Sequence, residues 1–381
     1  TDIFDHSIVI KQSLPFLKCI GPEAPLPVER IKYEVSYAKA MSKIKLRTSV
    51  YNPSLFLTPN DKATCNEFIP QLQYVDINNM WLMIMTDLKQ HHILRDGLVK
   101  KNKYPVFSKH IATYLANALF KTSQYHLDEI KFQKLTVKFQ SNRLCKLTED
   151  FVFIFPYTKH DTNYHTTARP TSFNKNFMEN ASELLKHFNE HHEALVHGDL
   201  HTGSIMLNND QTFIIDHEFA FVGPMGFDLG LLLANLITAW VHHVVVSQDM
   251  VYQAWLLECI TAIFNDFNNQ FQKIYRTHSL NLTAETDSTL PEFLTKVFHD
   301  SVGFAGLEIC RRVCGIAGVS EIRQIKDEEI KLKAETLAVN IGQYLVENYN
   351  ALSNIESVVQ YVASYNNQTI NPLAILAHAQ I

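Results

Sequence analysis

The sequence predicts an α+β fold with two unequal lobes, a small β-rich lobe followed by a larger, mostly helical one. Strand-like apolar runs bounded by turn residues lie near the beginning, and long segments with helical periodicity follow them. The 381 residues, 46% of them hydrophobic, are enough for one large bilobal unit or for two domains. We find no low-complexity tract and no repeat of fixed period.

The first lobe is predicted from three segments. Residues 7–14 alternate weakly between apolar and polar and end before Pro15, which indicates a strand. Residues 29–44 carry apolar side chains at helical spacing. Residues 81–86 form an apolar strand that leads into the polar segment 87–90. We therefore expect a small lobe over residues 1–86 and a large lobe over residues 87–381.

The second lobe is predicted to be helical over residues 104–122, 177–192, 250–271, 290–318 and 328–348. The most apolar segment, residues 229–246, is long enough to span a membrane but contains Asn235, His242 and His243. We interpret it as a buried core helix.

Composition argues against several classes of protein. The net charge is -5, from 34 basic and 39 acidic residues, and no dense Lys/Arg block is present, so a nucleic-acid partner is not expected. The six cysteines are scattered without CxxC pairs, and residues 1–6 lack the pattern of a signal peptide. We expect a cytoplasmic protein with no membrane partner.

Three carboxylates follow two short strand-like runs, residues 194–196 and 213–215. Asp199 comes after the first run, and Asp216 and Glu218 end the second, at positions where α/β proteins usually place their sites. On extended backbone, Asp216 and Glu218 would point to one side and His217 to the other. Carboxylates with nucleotide phosphates suit Mg²⁺, and the combination predicts phosphoryl transfer to a small hydroxyl compound. Any one of these acids alone could be an ordinary turn residue.

A zinc site at His197 and His201 is not favoured. The two histidines are four residues apart, but Gly198 and Gly203 disfavour the helix that would align them, and no HExxH pattern is present. We expect both histidines to orient the loop around Asp199.

The segments HGDLHTGSIM (197–206) and IDHEFAFVGPMGFDLG (215–230) resemble the catalytic and metal-binding segments of the 5-methylthioribose kinase family. This family belongs to the aminoglycoside phosphotransferase and choline kinase superfamily, and the resemblance extends over most of the chain. Ser204 stands where the superfamily commonly has Asn, which favours the narrower family. The resemblance implies a protein-kinase-like bilobal fold and ATP-dependent, Mg²⁺-assisted phosphorylation of the anomeric 1-hydroxyl of 5-methylthioribose in methionine salvage. It also implies a homodimer.

The resemblance implies roles on the substrate side for Asp199, Arg311 and Arg312. Asp199 would bind the sugar hydroxyl and accept or steer its proton, and the two arginines would bind sugar and phosphate. The arginines lie in a predicted helix of mainly small and apolar residues, although a pair on a helix surface is the ordinary alternative. Cys310 and Cys314 beside them are predicted to be buried small hydrophobes.

On the nucleotide side, the resemblance implies that Lys11 binds the ATP phosphates and that Glu34 orients Lys11. Without the resemblance, either would be an ordinary surface charge. Asp216 and Glu218 would hold Mg²⁺ with Ser204. The hinge residues that would face adenine are Met85, Thr86, Asp87 and Leu88.

The sequence departs from the family pattern at several places. Residue 1 falls shortly before the lysine strand, so we expect a partial small lobe without the glycine-loop strands, and weakened ATP binding. His217 stands where the family commonly has Pro, and Ala24 where relatives often have Trp, which could loosen residues 21–27. Two alternatives stay open: a related kinase acting on choline, homoserine or an aminoglycoside, and a non-catalytic remnant.

Overall fold

The computed structural model describes residues 7–17, 21–44, 65–140, 142–161 and 163–365. Residues 1–6 and Cys19, one of the six cysteines, lie outside this part of the chain. The strands are β1 (Ile8–Gln12), β2 (Phe16–Leu17), β3 (Gly21–Pro25), β4 (Leu72–Asp76), β5 (Leu82–Thr86), β6 (His92–Ile93), β7 (Ala194–Val196), β8 (Ile205–Leu207), β9 (Thr212–Ile214) and β10 (Phe221–Gly223). The helices are α1 (Arg30–Met41), α2 (Leu94–Val99), α3 (Phe107–Lys121), α4 (Glu129–Phe139), α5 (Asn142–Thr148), α6 (Lys175–Glu190), α7 (Gly226–His242), α8 (Met250–His278), α9 (Ala284–Cys314), α10 (Ser320–Arg323), α11 (Glu328–Asn348) and α12 (Ile355–Ser364).

The first part of the chain forms an antiparallel sheet in the order β1-β5-β4, with α1 packed on it. Lys11 on β1 lies opposite Met83 on β5. Ile31 and Val35 are four positions apart and therefore lie on one face of α1. Met83 is buried against this face. The predicted strand, helix and second strand are therefore confirmed. Strand β5 ends at Thr86, and the division into lobes after that residue stays a prediction.

The rest of the chain is mostly helical, and each long helix that periodicity predicts is present. The boundaries of α8 and α9 differ from prediction, since α8 continues to His278 and α9 begins at Ala284. The earlier start of α9 has a local cause: Thr283 and Thr286 form a capping box, in which each side chain receives the other's backbone N–H.

Helix α7 is the core helix that its composition suggested. The segment Gly226–Ser247, which includes the turn after α7, is long and apolar enough to cross a membrane, but 83% of its most apolar part is buried within the fold. It packs mainly against α9, which itself packs on α11. This burial explains its hydropathy without a membrane.

Helices α9 and α11 approach so closely that their backbones touch. A Cβ atom at Gly306 would lie 2.6 Å from the carbonyl oxygen of Gly342, and one at Gly342 would lie 2.6 Å from Cys310 Sγ. Glycine at these two positions lets α9 sit deep in the fold, with Cys310 and Cys314 fully buried as predicted.

Two small sheets frame the loop that carries Asp199. Strand β7 pairs with β10, and β8 lies between β6 and β9 in a second sheet. The chain leaves β7 at Val196, passes through the loop and enters β8 at Ile205. Asp216 follows just after β9. This arrangement brings the two predicted motifs side by side.

Candidate active site

The loop around Asp199 is held in place by hydrogen bonds to Asp228, at the start of α7. The backbone N–H groups of His197 and Gly198 donate to the two carboxylate oxygens of Asp228, at 2.6 and 3.0 Å. Gly198 has a φ of 82°, and a Cβ atom there would lie 2.2 Å from the carbonyl oxygen of Phe219. Glycine is therefore required at this turn. Asp228 was missed as a site residue, although an acid in the first turn of a buried helix was a usable signal.

His197 and His201 orient the loop, as expected. His197 Nε2 lies 2.9 Å from the carbonyl oxygen of Ile215, and the N–H of Asp199 donates to His197 Nδ1 at 3.2 Å. His201 Nδ1 accepts from the N–H of Gly203 at 2.9 Å, which leaves Nε2 3.5 Å from Asp199 Oδ2. The two imidazoles thereby hold the backbone and the carboxylate of Asp199.

Ser204 is buried, and its hydroxyl is engaged inside the same loop. Its Oγ donates to the carbonyl oxygen of Asp199 at 3.0 Å and lies 3.3 Å from His201 Nδ1. This bonding gives Ser204 a role in holding the loop. Its assignment as a metal ligand stays a prediction.

Arg311 and Arg312 reach Asp199 from α9. Their Nη2 atoms lie 3.9 and 3.7 Å from Asp199 Oδ1, and both residues are more than nine-tenths buried. Arg311 and Arg312 are therefore not an ordinary solvent-exposed pair on the helix surface. Both guanidinium groups also bind Glu308, which is fully buried and accepts from Arg312 Nε at 2.6 Å and from Arg311 Nη2 at 3.2 Å.

The charges around Asp199 keep its carboxylate ionised. Burial opposes ionisation, but His201, Arg312 and Arg311 outweigh it and hold the pKa of Asp199 well below its usual range. A third of the Asp199 side chain remains exposed. The site thus presents an ionised, partly exposed carboxylate beside two buried guanidinium groups.

Lys11 lies at the centre of a second cluster of carboxylates. Its Nζ is 2.5 Å from Asp216 Oδ1, 2.9 Å from Glu34 and 3.9 Å from Glu218 Oε2. Burial raises the pKa of Glu34 to about 7. The negative charges of Asp216 and Glu218 contribute to this rise, and the positive charge of Lys11 opposes it. For Lys11, the three carboxylates outweigh burial and raise the pKa. The predicted Lys11–Glu34 pair is present.

The expectation of extended backbone at Asp216 and Glu218 is wrong. Asp216 has φ 64° and ψ 47°, and the residues His217–Phe219 form a tight helical turn. Asp is among the residues that tolerate this left-handed conformation. The turn still directs both carboxylates towards Lys11, while His217 points away as predicted and stacks on Tyr37 with ring centroids 4.6 Å apart.

A cavity of about 280 Å³ connects this cluster to the predicted hinge. Its wall includes Lys11, Glu34 and Asp216, with Met206 and Ile215 from the large lobe. The four predicted hinge residues also line it: Met85, Thr86, Asp87 and Leu88. The structure therefore brings Lys11, Glu34, Asp216 and the four predicted hinge residues together around one pocket.

Sequence reasoning missed Arg30, Glu308 and Arg95. Arg30 Nε donates to Glu218 Oε2 at 3.0 Å, and Arg95 forms an ion pair with the buried Glu321, Nε to Oε2, at 3.3 Å. Glu308 precedes the two arginines by one helical turn, a spacing that could have indicated their partner. Arg30 carried no comparable signal, since it is an ordinary first residue of a helix.

Comparison with known proteins places this geometry in a family. A profile of the phosphotransferase enzyme family matches residues 81–260. The methylthioribose kinase of Geobacillus sp. (strain WCH70) is 32% identical over 357 residues, which cover 92% of this chain and 82% of that protein. The chain belongs to the methylthioribose kinase family. Methylthioribose kinase of Bacillus velezensis is 33% identical over 92% of this chain and 83% of its own length.

The relationship extends beyond bacteria. Methylthioribose kinase 1 of Oryza sativa subsp. japonica is 31% identical over 94% of this chain and 84% of its own length. Among solved structures, a glucosamine kinase (crystal form B) gives a TM-score of 0.44 at 12% identity, over 87% of this chain and 72% of that one, too low to add to the assignment. Membership of the methylthioribose kinase family confirms the resemblance and the α+β, kinase-like fold class predicted from the sequence.

Proposed function

We propose that this chain transfers the γ-phosphate of ATP to the anomeric 1-hydroxyl of 5-methylthioribose, giving 5-methylthioribose 1-phosphate in methionine salvage. The observation that carries this proposal is the convergence of Arg311 and Arg312 on Asp199, in a chain of the methylthioribose kinase family. Two fixed cations beside an exposed carboxylate suit a small polyhydroxyl acceptor and a transferring phosphate.

In the proposed reaction, Asp199 acts on the acceptor. The sugar hydroxyl oxygen forms a bond to the γ-phosphorus, its proton passes to Asp199, and the bond from the γ-phosphorus to the β,γ-bridging oxygen breaks to release ADP. The low pKa of Asp199 makes it a weak base, so orientation of the hydroxyl is the larger part of its role. The Nη2 atoms of Arg311 and Arg312 would stabilise charge on the transferring group.

ATP would occupy the cavity between the hinge and Lys11. Met85 and Leu88 lie on its wall near β5, and Lys11 faces the side where Asp216 and Glu218 converge. This chemistry fits Mg²⁺, because half of the Asp216 side chain is exposed and two carboxylates with phosphate oxygens suit a hard cation. Bound Mg²⁺ would neutralise phosphate charge. Glu34 would keep Lys11 directed at the phosphates.

Substitution of Asp199 tests the proposal most directly. We expect Asp199→Asn to lower the turnover rate by at least ~10²-fold, with the affinity for sugar much less affected, because the neutral amide can neither take the proton nor orient the hydroxyl with a charged acceptor. The matched control is Asp210→Asn, which changes an exposed turn residue between β8 and β9 and should keep the wild-type rate. A near-wild-type rate for Asp199→Asn would remove this residue from its proposed role.

The substrate is tested by ADP release with several acceptors. We expect release with 5-methylthioribose and none above background with choline, homoserine or an aminoglycoside. Activity with choline but not with methylthioribose would favour the alternative kinase. Calorimetric titration with Mg-ATP addresses the non-catalytic alternative, because a remnant would give no heat of nucleotide binding.

Two further expectations concern the protein's surroundings. We propose that the chain forms a homodimer, as the family resemblance implies, and sedimentation of the purified protein would measure this. The cytoplasmic location also stays a prediction. Small-molecule sugar and ATP are the partners that the site supports.

A further inference from the structure

A cluster of metal-ligating side chains lies outside the site, where the last turn of α6 meets α9. His187 and His191 come from α6 and its C-terminal cap, and Asp300 comes from α9. Their ligand atoms all lie within 4.8 Å of one another. Neither the sequence patterns nor the proposed reaction uses these residues.

The bonding within this cluster is incomplete. His187 Nδ1 lies 2.9 Å from Asp300 Oδ1, and the two imidazole rings stack with centroids 4.5 Å apart. His191 Nδ1, in contrast, is buried and has no hydrogen-bond partner in the part of the chain that the structure describes. A buried nitrogen without a partner is costly, so an ordinary hydrogen-bonded cluster leaves it unexplained.

We propose that His187, His191 and Asp300 bind a divalent transition-metal ion, with Zn²⁺ as the best fit. Two imidazole nitrogens and one carboxylate form a ligand set typical of Zn²⁺ with one open position. Tetrahedral ligation places ligand atoms about 3.4 Å apart, so the widest gap between them closes by at most about 1.4 Å while the stacked rings turn towards the ion. Imidazole ligands argue against Mg²⁺ or Ca²⁺.

The charged groups around His187, His191 and Asp300 favour binding of a cation. Lys296 is the obvious competitor, since its Nζ lies 2.8 Å from Asp300 Oδ2. The same ammonium also binds Glu193 Oε1 at 2.7 Å, so one positive charge faces two carboxylates. Lys296 contacts Oδ2 and leaves Oδ1 for the metal. The surrounding charge is therefore net negative before any ion binds.

The neighbours of the ligands resemble the outer partners of metal sites. Lys296 would orient the carboxylate of Asp300, and Glu183 Oε1 lies 3.9 Å from His187 Nε2. When Nδ1 of His187 binds a metal, its proton moves to Nε2, on the side of Glu183.

The metal would have a structural effect, because of where the ligands lie in the chain. It would tie the end of α6 to α9 just before β7, the strand that leads into the Asp199 loop. None of the three ligands is a proposed catalytic residue. We therefore expect bound Zn²⁺ to stabilise the fold, and the inference does not depend on the substrate assigned above.

The test compares Zn²⁺ binding by the wild-type chain and by two variants, His191→Ala and His192→Ala. Each protein is first freed of metal and then kept in excess Mg²⁺, which saturates the proposed Mg²⁺ site at Asp216 and Glu218. Competition with a chromophoric chelator measures the number and affinity of Zn²⁺ ions. We expect His191→Ala to bind one ion fewer than wild type, or to bind it at least ~10-fold more weakly. His192→Ala, which alters the exposed neighbouring histidine, is the matched control and should match wild type.

Thermal unfolding gives an independent readout of the same site. Zn²⁺ should raise the melting temperature of wild type and His192→Ala, and should have little effect on His191→Ala or on His187→Gln. Without Zn²⁺, His191→Ala should melt only slightly below wild type, because it loses the ring stacking on His187 but no hydrogen bond to Nδ1. Equal Zn²⁺ binding by wild type and His191→Ala, loss of the ion in His192→Ala, or no binding by wild type would each overturn the proposal.

Discussion

Glu308 is the residue that holds the two arginines of the site in place. It is fully buried, and it accepts hydrogen bonds from the guanidinium groups of both Arg311 and Arg312. Arg312 Nη2 is left without a hydrogen-bond partner among the described residues and points towards Asp199. Glu308 is therefore a positioning residue, which orients the donors without reaching the substrate itself.

We predict that Glu308→Gln destabilises the fold by about 3–5 kcal/mol at pH 7, because two buried guanidinium groups lose the charged partner to which they hydrogen-bond. Burial opposes ionisation of Glu308, but the arginines outweigh it and lower its pKa from the ordinary value of 4.5. Its stabilising effect is thus complete above pH 4.5 and lost as the pH falls through the lower, folded value. Urea unfolding should show the difference from wild type shrinking below that pH.

The same variant should change catalysis selectively. We expect kcat/KM for the sugar to fall at least ~10-fold, less than the ~10²-fold that loss of a direct donor costs, with KM for ATP nearly unchanged. Glu292→Gln, an exposed position on the same helix, is the control and should behave as wild type. Equal losses in the sugar and ATP parameters would indicate general misfolding and contradict a positioning role.

At the scale of elements, sequence periodicity predicted the long helices well. A helix that buries one face has apolar residues three or four positions apart, and this pattern is visible within a short segment of the sequence. Helix α11 is a clear case, whereas α7 is buried on all sides and was predicted from its apolar composition. The backbone at Asp216 could not be predicted in this way, since its left-handed conformation depends on the turn that follows. The close approach of α9 and α11 was equally hidden, because an isolated glycine in a helix does not reveal what lies against it.

That close approach leads to a prediction about Gly306. The added methyl group of Gly306→Ala would meet the backbone of α11, which cannot rotate away, so we expect a loss of about 2 kcal/mol despite the better helix propensity of Ala. Urea unfolding measures the loss, with Ser288→Ala at an exposed position of α9 as the control, expected within ~0.5 kcal/mol of wild type. A fully stable Gly306→Ala would mean that the helices do not touch here.

At the scale of the whole molecule, helix α1 joins the sheet of the small lobe to the large lobe. One face buries Ile31 and Val35 against β5, and Tyr37 on another face hydrogen-bonds to Tyr114 of α3, with 2.6 Å between hydroxyl oxygens. Lys11 and Asp216, 205 positions apart, meet across this junction. Sequence spacing alone could not predict such pairs, and only the family resemblance suggested that Lys11 meets Glu34.

Arg30, at the first position of α1, connects this junction to the proposed metal ligands. Its Nε donates to Glu218 at 3.0 Å, while Nη1 donates to the carbonyl oxygens of Leu14 and Pro27 at 2.6 and 3.0 Å. A lysine keeps the charge but cannot form this planar set of bonds, so Glu218 would lose its orientation in Arg30→Lys. The guanidinium thereby makes the position of Glu218 depend on how α1 and its preceding loop are packed.

We predict that Arg30→Lys raises the Mg²⁺ concentration needed for half-maximal velocity by ~10-fold, as for other outer partners of metal ligands, and leaves KM for the sugar unchanged. Steady-state rates over a Mg²⁺ titration measure this. Arg143→Lys makes the same exchange at an exposed position of α5 and should leave the titration unaltered. Weaker sugar binding by Arg30→Lys at saturating Mg²⁺ would contradict this prediction. The guanidinium would then act on the sugar-binding residues around Asp199 and not on the proposed Mg²⁺ ligands.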